Sequence, residues 1–408
     1  MQKISIVRLS HKMFDSIDNI KRCVEIIKGH YDSQESLIII VPYIKKFYES
    51  LKESISAFYT LNRESDLNQL YRPTENITSR ILKFALLSKG IYTIEFDQNL
   101  IQIPKRKLFS EPTIPDFYRE FIEKNLQRGT VLLVSGLSVI DEKGQIDMIL
   151  GGTDRITPIL FAKLLGQNKV IYYREDLLFF TSNREYVSKA KLIKELDYDE
   201  AANILSIFSS TASSFELDDL MIAKDWNIEI EFRSFHEPNR YTKISGGQMK
   251  KNVVKSIIGD PNKAKVSIHQ VQDRPGVAAR IFSPLVENGI QIFDISNIVT
   301  IDGLSDISFT VLREDAKRAY IITEKFAKEC GATSVEYDDN IAVVSVVGTG
   351  LYKSPDVAFK IFSVLAKNRI NINYINANDI KISVAINRDY LELALRLLHE
   401  TFELDKNE

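Results

Sequence analysis

Cysteine is scarce in this chain. Of 408 residues only Cys23 and Cys330 are cysteine, and they fall in different predicted domains. Two distant thiols cannot staple a small core, so they read as reduced cysteines rather than a disulfide framework. The five histidines, His11, His30, His236, His269 and His399, are scattered without metal-ligand spacing, and no metal is expected. Neither sign of charge dominates: 53 Lys and Arg stand against 55 Asp and Glu, a net of −2. That balance gives no electrostatic reason to expect nucleic acid or an anionic membrane as partner. No apolar run approaches the roughly 20 residues that span a bilayer. The first residues, MQKISIVRLS, read as a short alternating strand, so no signal peptide is expected and the expected location is cytoplasmic. Walker, Rossmann and Gly-x-Ser-x-Gly patterns are also missing.

What the sequence does contain is a repeat. Residues 275–292 read PGVAARIFSPLVENGIQI, and residues 355–372 read PDVAFKIFSVLAKNRINI. At a constant offset of 80 positions, ten of these eighteen residues are identical. Self-similarity of this quality marks two copies of one structural unit. Each copy has the same surroundings: an alternating apolar run, a helix led by proline, then a second apolar run.

The first 235 residues have another rhythm. Short apolar runs at Ile4–Leu9, Leu37–Val41, Ile91–Phe96, Thr130–Ser135, Val170–Tyr173 and Ile228–Phe232 read as strands. Leu37–Val41 is apolar throughout, as a strand buried on both faces must be. Helical spacing separates them: Ile17, Ile20, Val24 and Ile27 define one helix, and Arg80–Ser88, Pro115–Leu126, Pro158–Leu165 and Leu217–Lys224 define others. Alternation of this kind predicts an α/β domain with a mainly parallel sheet. The expected division is a domain over 1–240, a linker or edge strand over 241–262, and repeat units over 263–340 and 341–408. Each repeat unit is expected to run strand, helix, strand, strand, helix, strand.

The repeats resemble ACT domains, βαββαβ modules that pair side by side and bind amino acids. The resemblance rests on Asp273-Arg274-Pro275-Gly276 followed by Val277-Ala278-Ala279-Arg280-Ile281-Phe282, on Asp306–Val311, on the strand Val343–Gly350, and on Ile380–Ile386. Tandem units behind an α/β domain of this length resemble the regulatory half of aspartate kinases, whose first domain is a three-layer αβα amino-acid-kinase fold. An amino-acid site can also be argued from the residues. Gly276 leaves a helix start open, where backbone N–H groups hold a carboxylate. Asp273 can accept from an ammonium. The expected effector set is Asp273, Pro275, Gly276, Val277, Ala278 and Asn297, with Asn376 and Asn378 from the second copy. Asp356, where the first copy has Gly276, sets a carboxylate against an anionic ligand and argues against an equivalent second site.

The kinase motifs of the family are altered. Its Lys-Phe-Gly-Gly-Thr-Ser-Val falls on Arg8-Leu9-Ser10-His11-Lys12-Met13-Phe14, without either glycine. A Ser-rich segment is replaced by Pro42-Tyr43-Ile44-Lys45, and Ser-Thr-Gly-Glu by Arg72-Pro73-Thr74-Glu75. Gly-Arg-Gly-Gly-Ser-Asp is best preserved, as Gly151-Gly152-Thr153-Asp154. Nucleotide-binding segments fall on Tyr173–Leu177 and on Thr181–Arg184. The resemblance leaves vestigial catalytic candidates Arg8, Glu75 and Asp154, and vestigial nucleotide-binding candidates Gly151, Gly152, Thr153, Asp176 and Arg184.

Three readings follow. The leading one is a catalytically degenerate aspartate kinase relative, an ACT-type amino-acid-binding regulatory protein or subunit. Its effector would be lysine or threonine, and it would be a homodimer or a heteromer with an intact aspartate kinase, without cofactor. The second is an active aspartate kinase with a rebuilt site, which would need ATP and Mg. The third is a structural dimerisation partner of an authentic kinase.

Overall fold

The computed structural model describes residues 4–59, 64–96, 103–104, 115–136, 138–140, 146–148, 153–176, 179–207, 217–247, 253–299 and 303–406. The chain forms two compact units. One comprises Met1–Phe179, Leu192–Ala202 and Ser213–Gln248, and the other Phe180–Lys191, Asn203–Ala212 and Met249–Glu408.

In the first unit the order is β1 (Ile4–Arg8), α1 (Ile17–Asp32), β2 (Ser36–Ile40), α2 (Lys45–Ser56), α3 (Glu64–Leu87), β3 (Thr93–Phe96), β4 (Ile103–Pro104), α4 (Asp116–Gln127) and β5 (Val131–Val134). It continues with β6 (Ser138–Ile140), β7 (Ile146–Met148), α5 (Thr153–Leu164), β8 (Lys169–Arg174), β9 (Glu195–Leu196), α6 (Tyr198–Ile207, of which the residues from Asn203 fall in the second unit), α7 (Leu217–Asp225), β10 (Glu229–Ser234) and β11 (Tyr241–Ile244). Eight strands form one sheet in the order β3-β5-β2-β1-β8-β10-β11-β9. The six from β3 to β10 are parallel, and β11 returns antiparallel to β10. β2 is buried at every position, as its unbroken apolar run requires. Val7, Leu37, Ile39, Leu133 and Ile171 of the sheet pack with Cys23, Val24 and Ile27 of α1 and with Leu82 and Leu86 of α3. α4 and α5 pack against strands β5, β1 and β8. This is the expected α/β architecture with a parallel-rich sheet.

Several boundaries move. α3 runs through Pro73 rather than starting at Arg80; Thr74 and Thr78 hydroxyls donate to the Leu70 and Thr74 carbonyls along it. α5 likewise starts at Thr153, five residues before Pro158. Tyr241–Ile244, inside the expected linker, is a strand of the first sheet because Ile230–Arg233 pairs with it.

The second unit contains β12 (Ser256–Asp260), β13 (Lys263–Gln272), α8 (Val277–Glu287), β14 (Ile292–Val299), β15 (Leu304–Leu312), α9 (Ala316–Glu329), β16 (Ser334–Asp338), β17 (Ile341–Val347), α10 (Pro355–Lys367), β18 (Ile372–Ala377), β19 (Lys381–Asn387) and α11 (Leu391–Thr401). Two four-stranded antiparallel sheets result, β14-β15-β13-β16 and β12-β17-β19-β18. The first copy has its expected six elements. The second does not: no strand follows α11 among the described residues, and β12, from before the first copy, pairs with β17 instead. An open edge of β17 would leave backbone groups unpaired, and β12 satisfies them. Gly259 makes this possible, since a Cβ there would lie 2.6 Å from Leu391 Cδ1 and 2.9 Å from Leu395 Cδ1.

Candidate functional site

In a parallel α/β sheet, ligands bind beyond the carboxyl ends of the strands. The first altered motif lies there. β1 ends at Arg8, and Ser10 leads into a short 3-10 turn over His11–Phe14. Arg8 is buried, with its guanidinium 5.9 Å from the Tyr172 ring centre. Next to it on the sheet, β8 ends at Arg174, itself buried over Phe232. Burial, with repulsion from Arg8, pushes the Arg174 guanidinium down to about 10.

Two carboxylates follow Arg174. The Ser10 hydroxyl donates to Glu175 Oε2 at 2.9 Å, and Lys12 pairs with Asp176 at 3.2 Å. His11 stacks on Tyr43 with ring centres 5.6 Å apart and planes 13° from parallel. The structure therefore joins three of the segments that the resemblance aligns with kinase motifs, at Ser10–Lys12, Tyr43 and Glu175–Asp176. Glu75 is fully buried in α3 and accepts from the Gly136 N–H at 3.1 Å, which ties the helix to the chain leaving β5.

Gly151 and Gly152 lie outside the described residues, as do the side chains of Thr153 and Asp154, whose backbone opens α5. Arg184 is in the second unit, exposed, with its guanidinium 5.0 Å from the Phe180 ring centre. Its neighbours are structural there. Ser182 donates to the Ile257 carbonyl at 2.7 Å, and Asn183 exchanges hydrogen bonds with Gly259 at 3.1 and 2.7 Å. One pair escaped the sequence reading: Arg155 and Asp219, both buried, meet at 2.6 Å. They are 64 positions apart, and no local pattern announces such a pair.

The residues expected to hold an amino acid in the first repeat lie on the turn from β13 into α8 and on β14. Gly276 is the N-cap of α8 with φ +91°, in open space. Only glycine adopts that backbone at little cost. Pro275 precedes the cap rather than opening the helix, which begins at Val277. The Val277 N–H is taken by the Arg274 carbonyl at 3.2 Å. Asp273 and Ala278 are exposed. Asn297, also exposed, is on β14 opposite Ile307 of β15, toward the same end of the sheet as Asp273.

The second-copy asparagines have different partners. Asn376 donates to Asp294 of β14, which also accepts from the Tyr374 hydroxyl at 2.9 Å. Asn378 accepts from the N–H groups of Ile380 and Lys381 at 2.9 and 2.7 Å and so shapes the β18–β19 turn. α10 starts differently from α8: its N-cap is Ser354, Pro355 is in its first turn, and Asp356 pairs with Lys360 at 3.6 Å.

Comparison with known proteins agrees with this architecture. Residues 3–224, more than half of the chain, match the amino acid kinase family, and residues 266–331 and 344–402 each match the ACT domain. The class is thus an α/β amino-acid-kinase domain followed by two ACT domains. The aspartate kinase of Pseudomonas fluorescens is 30% identical over 398 residues, covering 96% of this chain and 95% of that protein. That of Pseudomonas putida is 29% identical over 394 residues, with the same coverage. Aspartokinase III of E. coli, solved in complex with lysine and aspartate, aligns with a TM-score of 0.76 at 16% identity. That alignment covers 98% of this chain and 99% of the E. coli one, and it shows the shared fold. The chain belongs to the aspartate kinase family.

Proposed function

We propose that this family member is catalytically degenerate and acts as an amino-acid-binding regulatory protein or subunit. The observation that carries the reading is the pair of carboxylates at the strand edge, Glu175 on Ser10 and Asp176 on Lys12. Phosphoryl transfer depends on cations and backbone donors around the phosphates. Here Lys12 is engaged by a carboxylate, Arg8 and Arg174 are buried against rings, and an imidazole–phenol stack replaces glycine backbone. These residues do not suit a triphosphate with its Mg. Loss of one such donor costs about 10²–10³ in rate, and several are replaced together.

The regulatory half supports the other part of the proposal. An open, positively charged helix start beside the exposed Asp273 offers a zwitterion both of its counter-charges. Lysine or threonine is the proposed effector, because an aspartokinase of the same fold was solved with lysine. The assembly would be a homodimer, or a heteromer with an intact aspartate kinase, in the cytoplasm.

A second reading, an active aspartate kinase using ATP and Mg, is favoured by similarity across 96% of the chain to proteins of that name. Aspartyl phosphate formed from ATP and aspartate can be trapped as its hydroxamate. The proposal expects turnover below about 10⁻² s⁻¹. A value near 1 s⁻¹, in the usual enzyme range, replaces it with the second reading.

A further inference from the structure

Helix α1 has two working stripes. Cys23, Val24 and Ile27 face the sheet. Arg22, Ile26, Gly29, His30 and Ser33 recur at the three- and four-residue spacing of one helix side, and they line an open cavity of about 700 Å³ in the first unit, with Arg22, Gly29 and Ser33 exposed. This size suits a small metabolite. The cavity runs from the amino ends of β1 and β8, at Ile4 and Lys169, to Arg22, Arg233 and Pro238 near the carboxyl end of β10.

Its floor is polar. Register sets Glu229, Glu231 and Arg233 of β10 beside Lys169, Ile171 and Tyr173 of β8. Charged residues at three alternating strand positions are not the pattern of a face made for helix packing. The groups fix one another. His30 Nδ1 is 2.7 Å from Glu35, and its Nε2 is 2.9 Å from the Tyr173 hydroxyl. Lys169 pairs with Glu231 at 2.6 Å and with Glu229 at 3.3 Å, and Arg233 also pairs with Glu231. Arg22 is different. It donates to the carbonyls of Phe235 and His236, which hold the guanidinium in place without neutralising it.

Gly29 is exposed in the last turn of α1. Its φ is not positive, and a Cβ there would meet nothing within 4 Å. A side chain can therefore be placed at this position without displacing its neighbours.

We propose that this cavity binds a small polyhydroxylated organic anion, with its acidic group at Arg22 and its hydroxyl end at the Glu35–His30–Tyr173 chain. Arg22 and His30 are eight residues apart, about 12 Å along the helix axis. That span fits a five- or six-carbon chain with an acid at one end.

The test uses the full chain and calorimetric titration with two probes that differ in their acid, ribose 5-phosphate and gluconate. Binding of at least one below 1 mM is expected, and the preferred probe tells phosphate from carboxylate. Gly29→Leu, which fills the cavity, should weaken that binding at least tenfold, and Arg22→Ala should do the same. Gly29→Ala should retain it within about twofold, with circular dichroism confirming that each variant is folded. Asp273→Ala, in the amino-acid site, should leave it unchanged. Failure of both probes to bind overturns the proposal. So does binding that survives both Gly29→Leu and Arg22→Ala, which would put the ligand elsewhere.

Discussion

The strand edge of the first unit and the helix start of the second unit respond differently to sequence change. At the edge, the segments that the resemblance aligns with kinase motifs differ from the family pattern, yet the strands that carry them form a regular parallel sheet, with Arg8 of β1 opposite Ile40 and Tyr172. At the helix start, Asp273, Pro275 and Gly276 keep their types, and Gly276 still has the positive φ that only glycine holds cheaply. The lesson is that the polar and apolar positions of one segment are separable. The edge loops belong to the core: Leu9, Met13, Phe14, Val41 and Ile44 pack with Val7, Ile39, Leu133 and Ile171 and with α1 and α3. On the proposed reading, the polar positions of a phosphate site changed while these apolar anchors stayed. The turn at Gly276 is both motif and scaffold, since it terminates β13 and starts α8.

Five changes would break or sharpen that contrast. The largest effect is expected inside the first unit, away from its motif loops. Arg155→Ala leaves Asp219 buried without its cation and should cost about 3–5 kcal/mol, read by urea unfolding. If the loss is under 1 kcal/mol, the buried pair is not what holds α5 to α7. Next comes Asp273→Ala, which removes one charged hydrogen-bond acceptor from the proposed effector site. It should weaken lysine or threonine binding by roughly 10- to 150-fold, that is about 1.5–3 kcal/mol, in calorimetric titration. Asp356→Ala, at the matching place in the second copy, should change it less than threefold; equal losses from both variants would make the two copies equivalent.

Gly276→Ala should destabilise the second unit by about 1–2 kcal/mol through its left-handed backbone, seen as a lower Tm. An unchanged Tm would show that the turn relaxes freely and that its glycine serves the ligand alone.

The smallest effect is a pH dependence. Burial holds the His399 imidazole below its ordinary value, where it is bonded to Thr181 at 2.9 Å. A depressed pKa means that the unfolded chain takes up the proton first as pH falls through about 6.5. Stability from this group is full above that value and declines below it. Tm should drop by a few degrees, about 2–4 °C, between pH 7 and pH 5 in excess of the His399→Gln variant. Parallel Tm curves for the two proteins would assign the acid sensitivity to other groups.

Much of the fold was readable from residue order. The all-apolar Leu37–Val41 run had to be a central strand, and the ten identities at offset 80 had to be two copies of one unit. Gly276 could be placed at a helix start because proline, glycine and an apolar period occur together there. The starts of α3, expected at Arg80, and of α5, expected at Pro158, were misplaced, because tertiary packing carries both helices through prolines that local preference reads as breaks.

Sequence alone, then, determined which segments are strands and helices and that one unit is duplicated. These are local or periodic properties, and each is written within a few turns of chain. Tertiary structure decided what those residues meet. It gave β12 to the second repeat, because an unpaired β17 edge needs a partner. It set Ser10 on Glu175, Arg155 on Asp219 and Asn376 on Asp294, pairs between 64 and 165 positions apart. Hydrogen bonds and ion pairs act over about 3 Å of space, and only the folded sheet fixes which distant residues come that close.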